Sequence, residues 1–339
     1  MVKLKLMDKI KETEKITPPR IMEAITAGFH TVSKHIDLIL FPILIDLALW
    51  FGPQLRMGKI LGPLFDEVNQ RQLNNATADA AQTQMIEVSR ETLNLFLDRM
   101  NFSSSISTFP IGIPSLLSFT GIKETPLGTP LMIELPSLEF GLLLIIVLSL
   151  IGILLGCLYF GAIARRILPE TRKLNFFSSL TQIIQGFFLI GIFFLAIMAV
   201  VLPVSLLLTV AFLFSPAIFN FLFIAISFVL LWMVVPLIFA PHGVFAMQMN
   251  APRALLTSYR LVRSFLPGTG LFALICILMA SGLDVLWYAA PGKSWLTIIG
   301  IIGHAFIYTS LLAASFIYYR QGMDWMQKNI NQFAKSIKI

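Results

Sequence analysis

Charge is what this sequence has least of. Only 13% of the 339 residues are Asp, Glu, Lys or Arg, against roughly a quarter in ordinary soluble domains. From Leu174 to Pro252 there is none at all, a run of 79 residues. A soluble fold has no means of covering such a run with water-facing groups, whereas a bilayer removes the need. Cysteine is nearly absent too. Cys157 and Cys276 both lie in apolar runs, which argues against a structural disulfide and leaves too few thiols for a cysteine metal site. Phosphate loops, nucleophile elbows, H-E-x-x-H pairs and dinucleotide fingerprints are missing, which lowers the expectation of an enzyme. The net charge of +7 does not point to nucleic acid, because the basic residues sit at the ends of apolar segments, as membrane topology requires.

The apolar runs give six expected membrane helices, at about 36–53, 139–163, 183–213, 216–247, 269–289 and 296–319. The first is short and carries two aspartates. The charge-free stretch has room for three shorter helices instead of two, and parity decides between them. With two, 18 of the 25 basic residues fall on one side. The positive-inside rule makes that side the cytoplasm, with both termini there and the chain in the plasma (inner) membrane. The first 35 residues are polar, so the first span reads as an uncleaved anchor. Residues 54–138 are then an extracytoplasmic insertion. Its first half has helical stripes, Leu61, Leu64 and Val68, then Ile86, Leu93, Leu97 and Met100. Its second half is rich in Pro and Gly and reads as irregular or short extended structure. Ser137 is placed to cap the second span, with Glu139 in its first turn.

Three amphipathic stretches precede spans, each starting at a proline: Pro19, Pro169 and Pro252. In the first, Ile25, Phe29 and Val32 oppose Glu23, Thr26, His30 and Lys34. In the second (169–185), Phe177, Leu180 and Ile184 oppose Asn175, Ser178, Gln182 and Gln185. In the third (252–267), Leu255, Tyr259, Val262 and Leu266 oppose Arg253, Thr257, Arg260 and Ser264. Such helices suit the bilayer interface, apolar face inward and cations among phosphates. The expected fold is therefore an all-α polytopic membrane protein of three repeats, each an interfacial helix plus a membrane hairpin. The units are 1–53, the insertion 54–138, the bundle 139–319 and a basic tail 320–339. Arg172, Lys173, Arg253, Arg260 and Arg263 are expected to meet anionic lipid head groups at the cytoplasmic face. The stretches "APRALLTSYRLVRSFLPGTGLFALICIL" and "HIDLILFPILIDLALWFGPQL", with "IGIPSLLSF" and "TPLGTP", resemble uncharacterised bacterial six-helix membrane proteins similar to the membrane domain of glycerophosphodiester phosphodiesterases. The phosphodiesterase catalytic domain has no counterpart, so the resemblance implies a fold and no reaction.

Ionisable groups inside spans are the default functional candidates. Asp46 and Asp284 each precede a tryptophan, Trp50 or Trp287, that suits the outer interface. His304 lies in the span that returns after Asp284. Asp284 and His304 share a hairpin, and Asp46 joins them if the first span packs nearby. The sharp reading is a polar site for a cation, a proton or a lipid head group. The plainer one is aspartates that snorkel or pair structurally and a packing histidine. No ligand spacing specifies a metal, and no catalytic residue or cofactor is expected. His35, Asp37 and His242 are read as interfacial. Gly152 and Gly156 form a G-x-x-x-G that permits close helix approach. The function expected is non-enzymatic: binding or passing a lipid or small solute, or organising the bilayer. The alternatives are an accessory subunit docking a partner protein through residues 54–138 and, last, an intramembrane enzyme built on Asp46, Asp284 and His304.

Overall fold

A computed structural model describes residues 17–75, 80–118, 120–121, 124–168 and 175–337. The chain runs through α1 (Ile21–Lys34), a 3₁₀ turn (Ile36–Ile39), α2 (Leu40–Phe51), β1 (Gln54–Arg56), α3 (Gly58–Asn75), α4 (Ala80–Arg99), a 3₁₀ turn (Phe102–Ile106) and β2 (Met132–Glu134). It continues with α5 (Leu138–Ile167), α6 (Phe176–Phe214), α7 (Pro216–Val234), α8 (Ala240–Met247), α9 (Ala251–Ser264), α10 (Leu266–Trp287) and α11 (Thr297–Ile337). Among the described residues five stretches are long and apolar enough to cross a membrane: Leu138–Ile167, Phe176–Phe212, Ala217–Met247, Leu266–Trp287 and Thr297–Gln332. The protein is a multi-pass membrane protein, and among the described residues its named strands are the short parallel pair β1–β2. The expected first span is the exception. Its helix has only 12 residues after a 3₁₀ turn, about 18 Å at 1.5 Å per residue and well short of a ~30 Å hydrocarbon core. Pro236 lies in a 3₁₀ turn (Val235–Leu237) that interrupts the fourth expected span, and Pro241 sits in the first turn of α8. A proline removes a helical N–H and crowds the preceding turn.

The amphipathic stretches are built in three different ways. In α1 the expected face is buried, but against protein. The helix runs antiparallel along α11, with the Arg20 N–H donating to Gln321 Oε1 and Phe29 edge-on to Phe306. At Gly28 a Cβ would come within 2.5 Å of the Ser310 carbonyl oxygen, so only glycine lets the two helices touch. The second stretch is no separate interfacial helix among the described residues, because 176–185 are the first turns of the 39-residue α6. Its polar face, however, packs into the bundle. Phe177, Leu180 and Ile184 are exposed, while Gln182 is buried and donates to the Val244 and Phe245 carbonyls. Gln185 accepts from the Ala251 N–H, one of the donors that a helix start leaves open. Arg172 and Lys173 lie outside the described residues. In α9 the arginines face outward as expected, but the packed stripe is Ala251, Ala254, Ser258, Leu261 and Val262, rotated away from Leu255 and Tyr259.

The main core joins α2, α5, α8 and α11 around Trp50, Tyr159, Phe245 and Phe316. It also includes Ile111, Ile113, Leu116 and Leu117, from the Pro- and Gly-rich half of the insertion. That half does not stay outside the bundle. A Cβ on Gly152 would meet the Ile106 carbonyl oxygen at 2.1 Å, and one on Gly156 would meet Gly112 Cα at 2.7 Å. The G-x-x-x-G therefore admits an irregular backbone rather than a helix. By helical rise Gly156 lies about 27 Å along α5 from Leu138. Residues 102–118 thus fold back into the bundle along α5 as a re-entrant segment. His242 is corrected as well. It is buried among Phe160, Phe239, Phe316 and Tyr319, with Nε2 at 2.7 Å from Ser315 Oγ.

Candidate functional site

Non-helical backbone survives at membrane depth only where protein or enclosed water answers its polar groups. Asp46 gives that answer. Its side chain is fully buried. Oδ1 accepts from Ser115 Oγ at 2.5 Å and from the Leu117 N–H at 3.0 Å, and Oδ2 accepts from the Leu116 N–H at 3.1 Å. Three donors on one carboxylate make a charge-assisted clamp on the turn of the re-entrant segment. Ser107 and Thr108 close the loop from its other side by donating to the Ile113 and Ile111 carbonyls.

Asp284 and His304 do meet. His304 Nδ1 lies 3.0 Å from Asp284 Oδ1, and Tyr308 donates to Oδ2 at 2.7 Å. His304 Nε2 is buried with no partner among the described residues. Asp46 does not hydrogen-bond to either residue. The link is Leu116, whose N–H serves Asp46 and whose carbonyl accepts from Tyr288 at 2.7 Å. Among the described residues no group of three His, Cys, Asp or Glu could hold a metal ion. Tyr308 follows His304 by one helical turn, so its place was readable from spacing. Ser115 carries no such signal, because its partner lies 69 residues away.

Above this network opens a cleft of about 960 Å³. The turn of the re-entrant segment forms its floor, the end of α4 one wall and the α10–α11 connection the other. Gly121 brings the segment against α4. Its φ is +58°, and a Cβ there would lie 2.6 Å from Arg99 Cα, so both backbone angle and space demand glycine. Trp287 lies over α11, where a Cβ on Gly303 would strike its ring at 2.6 Å. Trp50 is not at a lipid interface. It is fully buried, donates to the Gly292 carbonyl at 2.9 Å and so ties α2 to the far wall. Arg99, Lys293 and Glu124 are the charged residues of the lining. They were not singled out in sequence, where each is one polar residue in a loop or helix end.

At the other end of the bundle, Arg253, Arg260 and Arg263 are exposed on α9 beside exposed Leu256 and Tyr259. Arg263 Nη1 donates to the Tyr259 hydroxyl at 2.6 Å. Asp37 pairs with Arg166 at 2.8 Å, both partly exposed, as expected of a boundary. No family model matches the chain, and no curated protein or solved structure matches it either.

Proposed function

We propose that this is a non-enzymatic protein of the plasma membrane that binds a lipid or small solute in the cleft over the re-entrant segment. The observation that carries this reading is the cleft's floor. An irregular backbone is placed deep in an apolar bundle and clamped there by a buried carboxylate, a costly arrangement that is kept where it lines a cavity. The buried side of the polar network is structural: Asp46 has its oxygens occupied, which weakens the reading of an intramembrane enzyme. In this scheme α2 serves as a sixth, short crossing, both termini are cytoplasmic, and the cleft opens outward. The arginines of α9 then lie among anionic head groups on the cytoplasmic face. The three-repeat plan and the likeness to phosphodiesterase membrane domains stay within this proposal, as statements about fold.

A thiol placed in the cleft tests it. With Cys157 and Cys276 changed to Ser, Leu95→Cys should react with a maleimide, and short-chain lipids should slow that reaction saturably. Labelling that no lipid or solute changes would overturn the reading. A second reading, an accessory subunit, draws on the exposed apolar residues Leu64, Phe65, Val88, Leu95 and Phe96 of α3 and α4, a patch of the kind that marks partner surfaces. It expects a defined protein to be cross-linked through α3 or α4 in native membranes, and a partner-free chain there would remove it.

A further inference from the structure

Arg99 enters the cleft from the end of α4, and Lys293 enters from the connection between α10 and α11. Neither has an ion-pair partner among the described residues. Glu124 is the one acid of the lining among the described residues, where the cations exceed it by one. Between the charges the walls are apolar, with Leu95, Leu116 and Leu117. Trp287 is also in the wall, and its indole N–H is buried without an acceptor among the described residues. Two cations from separate elements and a greasy wall are complementary to an anion that carries an apolar chain. A guanidinium presents a fork of donors to phosphate oxygens, and an ammonium adds a compact point charge.

We infer that the cleft takes a phosphate-bearing anion, either the head group of an anionic lipid or a free phosphate ester, with Arg99 and Lys293 as its cations. This rests on the cleft reading above and specifies its ligand. Full-length protein in a neutral maltoside is titrated by calorimetry with dihexanoyl phosphatidic acid, dihexanoyl phosphatidylcholine and inorganic phosphate. The phosphatidic acid should saturate a single site. Arg99→Gln and Lys293→Gln should each weaken it by about tenfold, as expected for losing one charged hydrogen-bond partner. Glu124→Gln should tighten it, by removing the opposing charge. Competition by inorganic phosphate alone would assign the site to free phosphate esters, and its absence would assign it to lipid. Unchanged affinity in the double variant Arg99→Gln/Lys293→Gln, with wild-type melting behaviour, would overturn the inference. So would weaker binding in Glu124→Gln. Equal, variant-insensitive binding of both lipids would sink the phosphate assignment and leave the cleft reading standing. If neither lipid binds or protects Leu95→Cys, the cleft reading falls as well.

Discussion

A carboxylate in the middle of a span costs about 2.5–3.5 kcal/mol even on the mildest scales. Asp46 recovers that cost only through the Ser115 hydroxyl and the Leu116 and Leu117 amides. Asp46→Ala removes the acceptor and leaves buried donors unanswered, each such loss costing about 1–3 kcal/mol. We expect destabilisation of about 2–4 kcal/mol, read as a lower melting temperature in detergent, with Asp46→Asn intermediate because its one carbonyl oxygen still accepts. Asp284→Asn should be milder, since that side chain is 20% exposed and its partners His304 and Tyr308 sit on the same hairpin. A wild-type melt for Asp46→Ala would remove the clamp from the account. The contrast also marks what could be read in advance. Asp284, His304 and Tyr308 fall within 25 positions, and helical rise alone brings them together. The partners of Asp46 lie some 70 positions away in a stretch whose prolines say only that it is not helical. Nothing local says that it folds back into the bundle.

Among elements, long helices were the most legible part and their partners the least. Hydropathy separates apolar faces from polar ones, but lipid and protein interiors are equally apolar. The face of α1 was therefore right and its neighbour wrong, because α11 covers it and the bilayer does not. In α9 and α6 the side that packs against protein was missed. Close packing there uses Ala254, Ser258 and Gln182, residues that a hydropathy stripe does not count. The glycines of α5 carry the sharpest consequence. In a helix Gly→Ala gains up to about 1 kcal/mol of propensity. At Gly156 the new methyl would meet the backbone of Gly112, whereas at Gly191 of α6 nothing lies within 4 Å. Gly191→Ala should thus be neutral or stabilising. Gly156→Ala should be destabilising by about 1–3 kcal/mol, the range for overpacking a tight core, and should expose Leu95→Cys and its surroundings to faster labelling. Equal melting shifts in the two variants would mean that the re-entrant segment is not seated on α5.

For the whole molecule the question is whether a chain with five long spans among its described residues has its basic ends on one side. Five crossings would put the two termini on opposite sides. The basic N-terminus and the basic tail would then be split, against the bias that sets orientation. The short α2 resolves this if it crosses. Its start lies by Asp37, paired with Arg166 at the end of α5, and its finish lies by Trp50, bonded to Gly292 ahead of α11. A helix that short needs protein around it at both ends, and the re-entrant segment supplies part of that cover through Asp46. If α2 crosses, topology is coupled to the cleft, because the segment that lines the cavity also packs on α2 through Asp46. In a background without Cys157 and Cys276, Lys293→Cys should react with a membrane-impermeant maleimide in intact cells, and Arg253→Cys only after permeabilisation. Adding Asp46→Ala should lower the labelled fraction of Lys293→Cys if loss of the clamp releases α2 from its crossing. Labelling of Arg253→Cys in intact cells would instead turn the basic face of α9 outward and overturn the proposed orientation.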